Sequence, residues 1–242
     1  QDTKSFNRLE ASFDLYATQN SRAVKALHCK LDDTLLQGET YLEGISEPSV
    51  RFNLAVDAVD IGRYLSVSRN KTKLLSPSAA IAIAFSKVPR VQLRKLDAQG
   101  EINFRHLTMN GITAEDLRLK LIARDGVVQT QQDINRLNRG GYLGSVNVNA
   151  KGQDAVIALT EKFENVGIEA FLKETGSKIS ITGSLSGSTA LQGQVKNSKQ
   201  IRESLKGNLA FVLKDGEIKD LKFQKIIQQA LTVLNHAPMP MN

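Results

Sequence analysis

The tightest constraint on this chain is a hydrophobic alternation of period two that returns along most of its length. Phe52, Leu54, Val56 and Ala58 are interleaved with Arg51, Asn53 and Asp57. Ile102 and Phe104 alternate with Asn103 and Arg105, and Leu117, Leu119, Leu121 and Ala123 with Arg118 and Lys120. Val146, Val148 and Ala150 are separated by Asn147 and Asn149; Ile179, Ile181, Gly183 and Leu185 are separated by Ser180, Thr182 and Ser184. Leu209, Phe211 and Leu213 near the end, and Phe13, Leu15 and Ala17 near the start, repeat the pattern. Successive side chains of a strand point to opposite faces, so each stretch reads as a strand with one apolar and one polar side. Parallel strands covered on both faces read instead as continuous apolar runs. The pattern therefore predicts a large, twisted, antiparallel sheet with one wet face.

Punctuation fits that sheet. Asp125-Gly126 and Asp215-Gly216 are the dipeptides of two-residue hairpins, and Asn138-Arg139-Gly140-Gly141 reads as a looser turn. The period lengthens toward that of a helix in Asn165–Glu174, Ser198–Leu205 and Phe223–Leu234. Asp60 is placed to cap one helical turn beginning at Ile61. The expected fold is mainly β: a large twisted antiparallel sheet, groove-like or folded over into a sandwich, with several short helices packed against it. Pro89, Arg90, Arg94 and Lys95 interrupt the alternation and suggest an N-terminal β-rich unit over residues 1–92 and a second over 93–242, sharing one continuous sheet.

Composition removes several functional classes. The net charge is +7, but the basic residues are dispersed, and aromatic content is 5% with no Trp. Stacking platforms for nucleic acid are thereby disfavoured, and no nucleic-acid partner is expected. A sugar-binding module would draw on the same thin aromatic supply. His28, His106 and His236 lie far apart and Cys29 is the sole cysteine, so neither a zinc motif nor an internal disulfide is expected. His28 and Cys29 are neighbours on a strand and should face opposite ways, which denies them a nucleophile–base hydrogen bond. The sequence holds no GxSxG elbow and no GxxxxGK[ST] loop. Asp57 and Asp60 read as a polar-face residue and a cap. No catalytic residue, metal ligand or cofactor site is expected. The longest apolar run, Ala79–Phe85, falls well short of the roughly 20 residues a membrane-spanning helix needs.

The apolar face itself stands out. Either it closes into a core under helices and a folded-over sheet, or part of it lines a groove for an apolar ligand; the residues alone leave both open.

Several stretches in order resemble the AsmA family of bacterial envelope proteins. They are Phe52–Leu65 with its Asp60-Ile61-Gly62-Arg63-Tyr64-Leu65 ending; Leu96–Ile102, leading to Met109-Asn110-Gly111-Ile112, Asp116-Leu117 and Asp125-Gly126-Val127-Val128; Gly140-Gly141-Tyr142-Leu143-Gly144 running into Ser145–Ala150; and Leu185–Ala190 through Ser204–Leu209 to Lys214–Ile218. The resemblance implies a protein of the Gram-negative envelope, held in the inner membrane by an N-terminal helix outside this segment and projecting a β-rich body into the periplasm. It implies a role in outer-membrane biogenesis and, by analogy with larger relatives, in guiding phospholipid along an apolar groove. Phospholipid or another acyl-chain lipid is the expected partner, and envelope proteins are a second class. The alternative is a structural scaffold, or a carbohydrate- or protein-binding module, without lipid transport.

With the resemblance, the expected lipid-facing surface is Phe52, Leu54, Val56, Phe104, Leu119, Leu121, Val146, Val148, Ile179, Ile181, Leu209 and Phe211. Asp60, Arg63 and Tyr64 are expected to form a structural corner.

Overall fold

The computed structural model describes residues 7–44, 46–64, 76–109, 112–169, 180–195 and 204–219. The strands run in chain order: β1 (Leu9–Ala17), β2 (Ser21–Leu31), β3 (Thr34–Glu43) and β4 (Ser49–Asp60). The helical turn α1 (Ile61–Tyr64), α2 (Pro77–Ser86) and α3 (Arg90–Lys95) follow. Then come β5 (Asp97–Met109), β6 (Ile112–Arg124), β7 (Val127–Leu137), β8 (Gly140–Asn149) and β9 (Ala155–Gly167). The short β10 (Ser180–Ile181), β11 (Ser184–Val195), β12 (Lys206–Lys214) and β13 (Ile218–Lys219) complete the set.

One 11-stranded sheet takes in β1 to β9, β11 and β12 almost in sequence order, while β10 and β13 pair separately. The fold is mainly β, as the alternation predicts. All pairings in the large sheet are antiparallel except β4 with β5, which run parallel. That exception was not expected. A parallel pair needs a crossover that returns the chain to its starting end, and the segment carrying α1, α2 and α3 is this crossover. Residues 88–96 form the end of this connection, and the strands on both sides of it belong to one sheet.

The helices are fewer than expected. Among the described residues only α2 and α3 exceed a single turn. Asn165–Gly167, assigned to a helix by periodicity, ends strand β9, where it pairs with β11. The remainder of that expected helix beyond residue 169, residues 198–203 of the second, and all of Phe223–Leu234 lie outside the described residues.

α2 follows from its sequence. Ser76 accepts a hydrogen bond from the Ala79 amide, and Pro77 occupies the first turn, where its missing N–H costs nothing. The apolar run Ala79–Phe85 then gives a helix that is hydrophobic on every side. α3 is fastened by Arg94, which donates to the carbonyls of Ala150 (2.7 Å), Lys151 (2.8 Å) and Gly152 (2.7 Å) after β8.

Asp125 and Gly126 have φ of 51° and 73°, as a two-residue hairpin between β6 and β7 requires. Asn138 and Arg139, at 46° and 77°, form the same tight turn between β7 and β8, tighter than the loose turn expected there. Asp215-Gly216 makes no hairpin: the chain leaves β12 and pairs β13 with β10.

Candidate functional site: the apolar face of the sheet

The register places the alternating hydrophobic positions of the large strands on one face. A single row crosses the sheet from Leu15 to Val24, Thr40 and Phe52. It continues through Gly100, Leu121, Thr130 and Val146. It ends through Leu159, Leu191 and Gly207. The next row runs Leu27, Gly38, Leu54, Ile102 and Leu119, then Gln132, Gly144, Glu161 and Thr189, then Leu209.

Phe52, Leu54, Val56, Phe104, Leu119, Leu121, Val146, Val148, Leu209 and Phe211 therefore share this face. Ile181 does not join them: it lies in β10, in the separate two-stranded sheet, because the strand holding it is broken at Gly183, whose φ is 125°. Ile179 lies outside the described residues.

Cover over the face is uneven. α2 packs on β8 and β9. Ala82 joins Leu93 of α3 and Val128, Val146, Val148, Ile157 and Leu159 of the sheet in one buried cluster. Val146 and Val148 are each 1% exposed. A second buried cluster centres on Leu117, Ile134, Leu137, Tyr142 and Val166. Phe52, Leu54, Phe104, Leu119 and Leu121 are half-buried. At the two outer strands the same face is open: Leu9, Phe13 and Leu15 on β1, and Leu209 and Phe211 on β12, are all more than half exposed.

The two buried clusters are separated by polar atoms. Thr130 and Gln132 occupy inward positions of β7, between Val128 and Ile134, and Glu161 an inward position of β9. The Ser78 hydroxyl in the first turn of α2 donates to Gln132 Oε1 (2.8 Å) and lies 2.8 Å from the Tyr142 hydroxyl, which accepts from the Ser78 amide (3.0 Å). Tyr142 in turn donates to Glu161 Oε1 (2.8 Å), and Gln132 Nε2 donates to Thr130 (2.7 Å). Burial first, and then the Glu161 charge, pushes the Tyr142 phenol well above its ordinary range. Gly144 makes the cluster fit, since a Cβ there would collide with Ser78 Oγ and approach Gln132 and the Tyr142 hydroxyl.

The alternation alone did not single out these residues. The available signal was a fault in phase: Thr130, Gln132 and Glu161 stand where Val, Ile or Leu should.

The opposite face is mostly polar, with Ile122, Leu143 and Val212 standing exposed on it. Arg118 and Lys120 approach Glu101 (3.2 and 3.9 Å), and Lys162 approaches Glu164 (2.6 Å). His28 points here and meets Gln37 (3.0 Å), while the adjacent Cys29 pairs with Leu36 on the apolar side. Asp57 accepts from the Leu35 amide (2.8 Å). The turn α1 follows Asp60 directly, and Arg63 within it reaches Asp33 (3.4 Å); the Tyr64 side chain lies outside what is described. Among the described residues no three His, Cys, Asp or Glu converge as metal ligands, and no helix is long and apolar enough to cross a membrane.

The family model of the AsmA family matches the chain over residues 2–238. No curated protein and no solved structure matches.

Proposed function

The chain belongs to the AsmA family, and on that premise we propose that it is a non-enzymatic, periplasm-facing domain of the bacterial envelope that binds and guides phospholipid acyl chains in outer-membrane biogenesis. In the full-length protein an inner-membrane anchor holds it. One observation carries this reading: the face that bears the hydrophobic positions extends to both outermost strands, where Leu9, Phe13, Leu15, Leu209 and Phe211 are more than half exposed. A soluble domain seldom exposes a contiguous apolar area beyond a few hundred Å² unless something binds it.

The chemistry is simple. Each buried methylene gains about 0.8 kcal/mol, without any directional bond to break when the chain moves on. A ladder of Leu, Ile, Val and Phe thus holds an acyl chain and still lets it slide, and needs neither nucleophile nor cofactor. The polar face keeps the opposite side wet.

The test is mass spectrometry of organic extracts from protein purified out of its native envelope. Phospholipid should be recovered in near-stoichiometric amount. Leu54→Glu, at a half-buried position of the face, should reduce it several-fold with the melting temperature kept within a few degrees. An extract of the native protein free of lipid contradicts the reading and leaves a scaffold or protein-binding module.

A further inference from the structure

We propose that the chain assembles head to tail with further copies of itself: the outer edge of β12 in one copy pairs antiparallel with the outer edge of β1 in the next, and the sheet runs on from copy to copy. This contact stands independently of lipid binding.

The two edges are open and alike in length. β1 and β12 end the strand order, and among the described residues no strand lies beyond either. Each has nine residues, all of them exposed except Leu213. Soluble proteins usually blunt such edges with Pro, a bulge or charge within the strand. Between Lys206 and Lys214, β12 holds neither charge nor Pro, and β1 holds no Pro and no cation. The bulge between β1 and β2 places its additional residue on β2 and leaves β1 regular.

Direction is the stricter condition. From β1 across to β12 every pairing reverses the strand direction except β4 with β5. β12 therefore runs antiparallel to β1. A second copy placed beyond β12, with its apolar face on the same side, presents its β1 antiparallel to β12, the more stable way for two strands to pair. Had β4 and β5 also been antiparallel, the same placement would be parallel.

Face and charge set the register. Phe211 opposite Phe13 puts Leu209 opposite Leu15 on the apolar side and Lys214 opposite Glu10 on the other. A shift of two residues sets Lys214 against Arg8 or Ser12 instead. Glu10 already meets Arg8, but both are exposed, and such surface pairs exchange at little cost. β1 carries Glu10 and Asp14 as its only charges, and β12 Lys206 and Lys214. Like edges meeting would oppose like charges, whereas unlike edges attract. A contact between unlike edges leaves one of each free, so it repeats.

The test uses the intact chain with Cys29→Ser, which removes the sole native thiol. One batch carries Phe13→Cys and the other Phe211→Cys, each matched to the native circular-dichroism spectrum. Mixed and mildly oxidised, they should give a linked heterodimer at least fivefold more abundant than either homodimer. Ser12→Cys in place of Phe13→Cys, on the other side of the strand, should lower the yield at least fivefold. Glu10→Lys added to the first batch should lower it at least threefold, and Lys214→Glu added to the second should restore more than half of the loss. Phe13→Cys/Phe211→Cys in one chain should form a ladder of dimers, trimers and larger species on non-reducing gels. If either cysteine disturbs the fold, Leu15→Cys with Leu209→Cys reads the same register. Homodimers in excess overturn the proposal in favour of like edges. An internal disulfide at monomer mass overturns it in favour of closure within one chain. Monomers with free thiols overturn it outright. None of these outcomes touches the lipid reading, which the organic extract decides.

Discussion

Val148 and Phe211 occupy the same face of the same sheet, yet one is 1% and the other 63% exposed. The middle strands, β7 to β9, carry α2 and enclose a core. The outer strands β1 and β12 show the same alternation with no cover among the described residues. Alternation reports which way a side chain points; it does not report whether anything lies above it. In the middle the crossover between the parallel strands β4 and β5 brings a helix back over the sheet, and among the described residues no such connection covers the ends. The contrast separates residues that hold the fold from residues free to bind.

Charge placed on each region breaks the contrast most sharply. Val148→Glu would bury a carboxylate without a partner and should cost several kcal/mol, with cooperative melting lost. Phe211→Glu meets water and should change stability by no more than about 0.5 kcal/mol. Thermal denaturation followed by circular dichroism reads both. Equal losses would mean that β12 is covered as firmly as β8.

A smaller pair of effects sharpens the comparison within one motif. Gly144→Ala drives a methyl into Ser78, Gln132 and Tyr142, and should cost about 1–3 kcal/mol. Gly141→Ala, three residues earlier in the same strand, meets nothing within 4 Å and should be near neutral. Urea midpoints for the two variants, compared at constant m-value, give the difference.

Tyr142→Phe should cost about 1–2 kcal/mol at neutral pH, because Glu161 and the Ser78 amide lose the phenol that joins them. The same group makes the middle region sensitive to alkali. Its pKa is raised in the folded state, while the unfolded phenol ionises at about 10. The neutral phenol's contribution is therefore complete below about pH 10 and is lost as pH climbs above that value. Melting temperatures measured from pH 8 to 11.5 should fall less steeply for Tyr142→Phe than for the native chain; parallel slopes would show that Tyr142 is not held neutral by the fold.

Much of this was legible in the sequence. The inward and outward sides of β4, β6, β8 and β12 follow directly from Leu54, Leu119, Val146 and Leu209 and their polar neighbours, since a strand's side-chain period is two. The sheet order was not written there: period two does not say which strand lies beside which, and the parallel junction depends on a crossover whose helix α2 appears only as a short apolar run. Ile181 misled because two alternating residues can extend one sheet or begin another, and Gly183 decides between them through a backbone angle. The buried polar cluster of Ser78, Gln132, Tyr142 and Glu161 was hidden for a different reason. Its members come from α2, β7, β8 and β9, and Ser78 has no sequence relation to Gln132 or Glu161; only the fold brings them within hydrogen-bond reach. Each alone looks like a lapse in hydrophobic pattern.

The central claim, that the apolar face takes acyl chains where it is open, can be tested through the absence of native Trp. Single Trp residues introduced as Phe52→Trp and Phe211→Trp report from the apolar face, and Tyr41→Trp reports from the polar side of β3. Phosphatidylcholine brominated on its acyl chains, delivered from vesicles, should quench fluorescence at Phe52→Trp and Phe211→Trp and leave Tyr41→Trp bright. Quenching that is equal at all three positions, or absent from the first two, would contradict the account.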